Sequence, residues 1–237
     1  MKKVLTLAAA LLVFGASTSM AQGLNLHWTD CGVGGGATTM AFNCASNAGA
    51  PYTLIASVFP QAPMTQFAAA TAVIDIGVQG GTLPQWWQTN AGQCRANAIA
   101  MSFDPSNNLS SCLDIWGGNP NLQVTAVQQG VNGPDRVRLN GVAAIPAGSE
   151  IPLAAGDELW LCRVTIGRAA TLTCAGCALG ASIVLNEVSI QSPSEPKQVI
   201  TNQAGNYCVG NTAGIAFCPG ATPTLNKTWG ALKGLYN

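Results

Sequence analysis

Apolar and polar residues alternate in a series of short segments along this chain, and this pattern limits the folds open to it. In DRVRLNGVAA, 135–144, Val137 and Leu139 alternate with Arg136 and Arg138. A period of two places one set of side chains on each face of a β-strand. Similar segments recur between turn-forming Gly, Pro, Asn and Asp residues. The strands predicted in this way are 24–28, 39–44, 52–59, 71–78, 112–116, 122–128, 135–144, 159–166, 182–190 and 197–201.

Many short strands without long helical patterns predict an all-β fold, most simply a β-sandwich. Two short helices are predicted beside the strands. One covers QCRANAIAM, 93–101, and the other is a C-terminal tail, 226–237, in which an apolar stripe from Trp229 to Tyr236 follows helical spacing. We therefore expect one β-sandwich domain, 22–237, that includes this helical tail.

The first residues have the composition of a bacterial export signal. Two lysines precede an apolar run, 4–16, and small residues fit cleavage after Ala21. This run is too short to span a bilayer comfortably, which favours a cleaved signal peptide, 1–21, over a membrane anchor. No second long apolar stretch follows it. We therefore expect no membrane insertion after cleavage, and a secreted, periplasmic or cell-surface location.

The chain has nine cysteines, and the predicted compartment is one in which disulfides persist. Cys162 lies in LWLCRVTI, 159–166, where alternation places it with Trp160, Val164 and Ile166 on one apolar face. We expect it to be a buried, free thiol. The other eight cysteines fall into neighbouring pairs, each bracketing a turn-like loop. Nearest-neighbour pairing predicts disulfides that staple these loops: Cys31–Cys44, Cys94–Cys112, Cys174–Cys177 and Cys208–Cys218.

The close spacing of Cys174 and Cys177 also suggests a metal or redox site. A structural zinc site takes four ligands, usually Cys and His, and the only histidine, His27, is distant in sequence. A thioredoxin-like site has its CxxC at the start of a helix, whereas the β-like segment 182–190 follows here. We therefore predict a structural disulfide, with no metal and no cofactor.

The chain carries little charge. Charged residues make up 8% of it, against about 25% in typical domains, and the formal net charge is +0. Loss of the two leader lysines would leave a small acidic excess. This balance gives no electrostatic reason to expect nucleic acid or an anionic membrane as a partner.

Two late segments carry a resemblance to known folds. PLAAGDELWLCRVTI, 152–166, followed by GASIVLNEVSI, 180–190, is similar to the paired late strands of cohesin-like and carbohydrate-binding-like sandwiches. The LNLHWTDCG, LPQWW and TWGALKGLY segments also resemble secreted bacterial proteins with the same order of segments. The resemblance covers about half of the chain and implies a cohesin-like or jelly-roll-like architecture. It implies no ligand, because no binding motif matches.

Few residues suggest catalysis. His27 is the only imidazole, and no GxSxG motif accompanies it. GVGGGA, 32–37, lacks the following helix of a dinucleotide site, and DPSNN, 104–108, lacks the spaced acids of a calcium loop. Four acids lie on or beside predicted strands, where a glycosidase pair would be sought, but sequence does not give their separation, and solvent-facing positions suffice to explain Asp75 and Glu187. We predict no enzyme and no catalytic residues; the four acids are Asp75, Asp104, Asp114 and Glu187.

The tryptophans are the best functional lead. Trp86 and Trp87 lie in the polar segment TLPQWWQTN, and Trp116 precedes two glycines. Exposed aromatic rings offer large, rigid contact areas for sugars and protein partners. An extended segment would direct one of Trp86 and Trp87 outward, whereas the alternative is that the rings cap the ends of the sandwich. Trp86, Trp87 and Trp116 are the candidate ligand-binding residues.

Two function classes remain open. The first is a non-catalytic structural, adhesive or interaction protein of the bacterial cell surface or extracellular space, with a protein partner. The second is a glycan-binding module that uses exposed aromatic residues. A coplanar pair of exposed rings would favour glycan binding, whereas an open apolar edge strand would favour assembly by strand addition.

Overall fold

A computed structural model of the chain describes residues 23–119, 121–201 and 208–211. Nearly all regular structure in these ranges is β-strand, and their helical pieces are two single turns of 3-10 helix, Gln85–Trp87 and Pro105–Asn107. The all-β prediction is therefore confirmed. The strands are β1 (Gly23–Trp28), β2 (Tyr52–Phe59), β3 (Met64–Phe67), β4 (Ala69–Val78), β5 (Ile99–Ser102), β6 (Leu113–Asp114), β7 (Leu122–Gln129), β8 (Arg136–Ala144), β9 (Ile151–Leu153), β10 (Leu159–Ile166), β11 (Ala181–Gln191), β12 (Gln198–Ile200) and β13 (Cys208–Gly210).

The strands form a β-sandwich of two main sheets with a small third sheet. The five-stranded sheet has the order β1-β2-β10-β5, and β6 runs parallel to β10 in it. The six-stranded sheet has the order β12-β11-β4-β8-β7, and β13 pairs with β11. β3 and β9 form the two-stranded sheet. Apart from the β6 contact, the strand pairs of the two main sheets among the described residues are antiparallel.

The buried faces of the sheets share one apolar core. Leu54 and Val58 of β2 and Ile74 and Ile76 of β4 are fully buried within it. Their spacing of two or four positions shows how each strand directs alternate side chains inward. Burying one such side chain contributes about 1.5–3 kcal/mol before conformational entropy is subtracted. The sheets are held together by the same alternation that is visible in the sequence.

Strand β10 departs from the regular alternation predicted for it. Trp160 pairs with Ser57 but Cys162 pairs with Ala56, because the register shifts between them. The extra residue of such a β-bulge changes the face on which the following side chains lie. Trp160 and Cys162 therefore lie on opposite faces, and the shared face predicted for them is wrong. Cys162 is nevertheless a buried free thiol, as predicted, and burial raises its pKa.

Three predicted elements differ in the structure. Segment 39–44 forms no strand and contributes only an isolated bridge from Thr39, while 112–116 contains the two-residue β6. The helix predicted at 93–101 is wrong, because turns lead there into β5 and Asn97 has a φ of 60°, which a right-handed helix does not allow. The predicted signal peptide, 1–21, and helical tail, 226–237, lie outside the described residues.

Nearest-neighbour pairing is also wrong for the described disulfides. Cys174 and Cys177 do not bond to each other; each ties their shared turn to a different, distant loop. Cys208 is disulfide-bonded as well, and its predicted partner, Cys218, lies outside the described residues. The described disulfides bridge separations of 80 to 133 residues, and they are Cys31–Cys112, Cys44–Cys177 and Cys94–Cys174.

Candidate functional site

The three tryptophans predicted to bind a ligand are buried. Trp86, Trp87 and Trp116 are each 0% exposed. The 3-10 turn replaces the extended segment expected around Trp86 and Trp87, so both rings enter the core, with their centroids 4.8 Å apart. The Trp116 Nε1 donates to the Leu161 carbonyl at 2.9 Å. A ring that stacks on a sugar must face solvent, so the exposure on which the ligand-binding prediction depends is wrong for all three residues.

Arg95 organises the surroundings of Trp86, and sequence reasoning missed it. Its guanidinium carbon lies 3.7 Å from the centre of a Trp86 ring. The guanidinium donates to the carbonyls of Trp86, Gly167 and Ala169, and burial lowers the Arg95 pKa to about 10. Arg95 also lines a cleft of about 560 Å³. Because its guanidinium already contacts three carbonyls and an aromatic ring, we assign Arg95 a structural role.

A buried carboxylate, Glu158, lies at the centre of a polar cluster. It is 5% exposed. Its Oε1 accepts hydrogen bonds from Asn25 Nδ2 at 2.8 Å, Ser57 Oγ at 2.5 Å and the Gly32 N–H at 3.0 Å. Its Oε2 accepts from the Val33 N–H at 2.7 Å. Four donors thus compensate the buried charge, and no cationic side chain among the described residues is hydrogen-bonded to it.

This cluster explains the glycine-rich loop and the histidine. The Gly32 and Val33 N–H groups, which a phosphate-binding loop would offer to its ligand, are directed to Glu158. His27 lies in β1, is 7% exposed and has no described partner for its Nδ1. Ser57 donates to Glu158 and not to His27, so these residues are not arranged as a nucleophile and its base.

Three of the other four candidate acids bind structural partners. Asp75 forms a bidentate pair with Arg138 on the neighbouring strand, with both distances 2.7 Å. Asp104 accepts from the Ser106 N–H and caps a 3-10 turn. Asp114 accepts from the N–H groups of Trp116 and Gly118. Glu187 lies half-buried on β11 and pairs in register with Val73.

Strand β7 stands out as an open edge. It has eight residues, whereas the other strands that end a main sheet, β1, β5 and β12, have six, four and three. β8 is the only strand among the described residues that pairs with it. Proteins usually protect sheet edges with charges, prolines or short strands. The β7 sequence, LQVTAVQQ, contains no charge and no proline.

The pattern of hydrogen bonds between β7 and β8 shows which backbone groups of β7 remain available at this edge. The Gly130 N–H donates to the Arg136 carbonyl, and the same register continues along β7 and β8. Hydrogen-bonded and non-hydrogen-bonded pairs alternate in an antiparallel ladder. The even-numbered residues of β7 therefore bond to β8. The N–H and C=O groups of Gln123, Thr125 and Val127 point away from the sheet.

The side chains beside this edge are apolar and exposed. Leu122 is 80% exposed and Val124 is 71% exposed. Val124 pairs in register with Val142, which is 40% exposed on the same outer face. A shallow groove of about 310 Å³ continues from there across β8 to Thr71 and Val73 on β4. The larger sheet thus combines free backbone groups with an adjoining apolar surface, and we call β7 with this groove the β7 edge.

The described residues contain no apolar helix of the length that crosses a membrane. Comparison with protein-family models, with curated proteins and with solved structures finds no match for this chain.

Proposed function

We propose that this chain is an exported, non-catalytic interaction protein that binds its partner by strand addition at the β7 edge. A partner strand laid beside β7 would satisfy the outward N–H and C=O groups of Gln123, Thr125 and Val127. Its side chains would also cover Leu122 and Val124. Strand addition obtains affinity from main-chain hydrogen bonds and specificity from side-chain contacts. The open, uncharged, eight-residue edge is the observation that carries the proposal.

The disulfides support export. Disulfides persist in oxidising compartments and are rare in cytosolic proteins. Three are described, and each joins distant parts of the chain. Together with the predicted signal peptide, 1–21, they favour the bacterial cell surface, the periplasm or the extracellular space. The partner on this proposal is a protein at that location.

A single backbone change tests the proposal. Thr125→Pro removes an outward N–H without removing a β8 hydrogen bond, and edge strands accept proline in that orientation. Thr125→Val is the matched control, because it keeps the N–H. The full-length variants are produced in the source bacterium, and native size exclusion with immunoblotting follows the chain in envelope and culture fractions.

We expect the wild-type chain and Thr125→Val to elute in an assembly larger than the monomer, and Thr125→Pro to elute as a monomer. Thermal melting of the purified variants checks that Thr125→Pro remains folded. A wild-type chain found only as a monomer, or a folded Thr125→Pro variant found in the same assembly as wild type, would contradict the proposal.

A further inference from the structure

Resting on the proposed function, we infer that the partner at the β7 edge is a second copy of this chain. The two β7 strands pair antiparallel about a two-fold axis that passes between Val124 and its copy. The strand paths β12-β11-β4-β8-β7 of both copies then join into one continuous sheet. Such an interface is isologous, because the same residues contribute from both sides.

The absence of charge on β7 favours a copy of itself as the partner. Residues 122–129 include no Asp, Glu, Lys or Arg. Like charges opposite each other destabilise a strand pair, so a charged edge could not pair with itself at low cost. A partner recognised by charge would require charged side chains on β7, and none is present.

The pattern of side chains selects the register. A two-fold axis normal to the sheet keeps the outer face of one copy beside the outer face of the other. With Val124 opposite its own copy, Leu122 lies opposite Ala126 of the second copy, and Ala126 opposite Leu122. Every apolar outer-face residue from 122 to 126 then meets an apolar residue.

The backbone is compatible with this register. The outward groups of Gln123 would bond with those of Thr125 in the second copy, and Thr125 with Gln123. Val124 and its copy then form a non-hydrogen-bonded pair, in which the Cα atoms of antiparallel strands lie about 4.5 Å apart. Side chains approach most closely in such pairs, so two valines make direct apolar contact at the axis.

The C-terminal end of β7 is in contact with a neighbouring loop. The side-chain amide of Gln129 lies 3.4 Å from Thr89 Oγ1, on a loop that runs beside that end of the strand. At the other end, Leu122 and Val124 are large apolar residues that are 80% and 71% exposed. At this end the Gln123 and Asn121 side chains bond to the Phe103 backbone. A pairing centred on Val124 uses the outward backbone groups of Gln123 and Thr125, so it requires neither those side-chain bonds nor the Thr89 contact to break.

Charged substitutions of Val124, at the two-fold axis, test the inference on the purified, oxidised full-length chain. Val124→Lys and Val124→Glu each place two like charges opposite each other, whereas a mixture of the two places opposite charges there. Analytical ultracentrifugation over a concentration series measures the mass. Leu109→Lys is the matched control, because Leu109 is 79% exposed and lies outside β7.

We expect wild type and Leu109→Lys to double in mass as concentration rises, each Val124 variant to remain a folded monomer, and the mixture to recover the dimer. A wild-type chain that stays monomeric overturns the inference, as does a Val124→Lys variant that dimerises like wild type. If Thr125→Pro still dissolves the native assembly in that case, the proposed function stands with a different partner. If Thr125→Pro leaves the native assembly intact, the proposed function is wrong as well as the inference.

Engineered cysteines test the register. Val124→Cys places two thiols at a separation that a disulfide can span, whereas two Ala126→Cys residues lie four positions, or about 13 Å, apart. In a glutathione redox buffer we expect a covalent dimer for Val124→Cys and a monomer for Ala126→Cys on a non-reducing gel. Cross-linking of both variants would indicate a parallel pairing and overturn the antiparallel one. Cross-linking of neither variant would also overturn the proposed register.

Discussion

At the scale of single residues, Glu158 does the most to fix local structure. It binds a side chain on β1, a side chain on β2 and two backbone groups of the glycine-rich loop. The loop comes so close to its neighbours that a Cβ on Gly36 would lie 2.2 Å from the Asp30 carbonyl oxygen. The Glu158 carboxylate thus binds the loop N–H groups that an external anion could bind, and it holds this loop against the five-stranded sheet.

Removing the Glu158 carboxylate should destabilise the fold strongly. Glu158→Ala leaves four donors without their acceptor, and we expect a loss of about 3 kcal/mol or more in the free energy of unfolding. Glu158→Gln keeps one acceptor oxygen and should lose less. Urea denaturation measures both, with Asp157→Ala as the exposed neighbouring control. A Glu158→Ala variant as stable as that control would show that the cluster contributes little.

His27 should make stability depend on pH. Burial lowers the His27 pKa, and the nearby Glu158 charge offsets part of this effect. The unfolded chain therefore binds the proton at higher pH than the folded protein does. The resulting contribution is present above the ordinary histidine pKa of about 6.5 and is lost as pH falls toward the lowered value.

We expect the wild-type free energy of unfolding to fall more steeply than that of His27→Gln between about pH 7 and pH 5, the range in which histidine titrates. Urea denaturation at a series of pH values measures both slopes. Equal slopes for the two proteins would contradict the assignment.

At the scale of elements, the turn that carries Cys174 and Cys177 joins parts of the chain that are distant in sequence. One cysteine bonds to Cys94 and the other to Cys44, across 80 and 133 residues. Closing such long loops removes conformational freedom mainly from the unfolded chain, which in the loop-entropy model is worth about 4 to 5 kcal/mol for each bond. This turn therefore stabilises two otherwise irregular loops.

Disulfide mapping checks this arrangement. Digestion with pepsin under non-reducing conditions, followed by mass spectrometry, should yield linked peptides for Cys31–Cys112, Cys44–Cys177 and Cys94–Cys174. Alkylation before reduction should label Cys162 only after denaturation, because the folded core excludes the reagent. A linked peptide joining Cys174 to Cys177 would contradict the structure.

At the scale of the whole molecule, stability should depend on oxidation and not on a metal. Among the described residues, one grouping of potential metal ligands comes together, Cys31, Cys112 and Glu158, with ligand atoms within 4.8 Å of one another. The two cysteines of that grouping are joined in a disulfide. Metal coordination requires thiolates, so the oxidised protein offers only the carboxylate there.

We therefore expect a chelator to leave the melting temperature unchanged and a reductant to lower it by several degrees or more. Differential scanning calorimetry of one preparation with each additive makes the comparison. A decrease caused by the chelator alone would show that a native-state metal contributes to stability.

The all-β class and most of the strand positions could be predicted from the sequence alone. Alternation is a local property, because successive side chains of any extended segment face opposite ways. The period of two in 135–144 therefore predicts β8 without knowledge of its neighbours. The same argument predicted burial of Cys162, although the bulge at Trp160 was invisible because it arises from pairing with β2.

The tertiary structure alone decided the cysteine pairing, the burial of Trp86, Trp87 and Trp116, and the openness of β7. Each depends on which distant segments meet. Cys44 reaches Cys177 only after the loops fold together, and a polar-looking tryptophan segment enters the core when it forms a 3-10 turn. The sequence pattern of segment 122–128 does not differ from that of the other predicted strands. Whether a strand lies at the centre or the edge of a sheet is set by the order of the strands, and alternation does not encode that order.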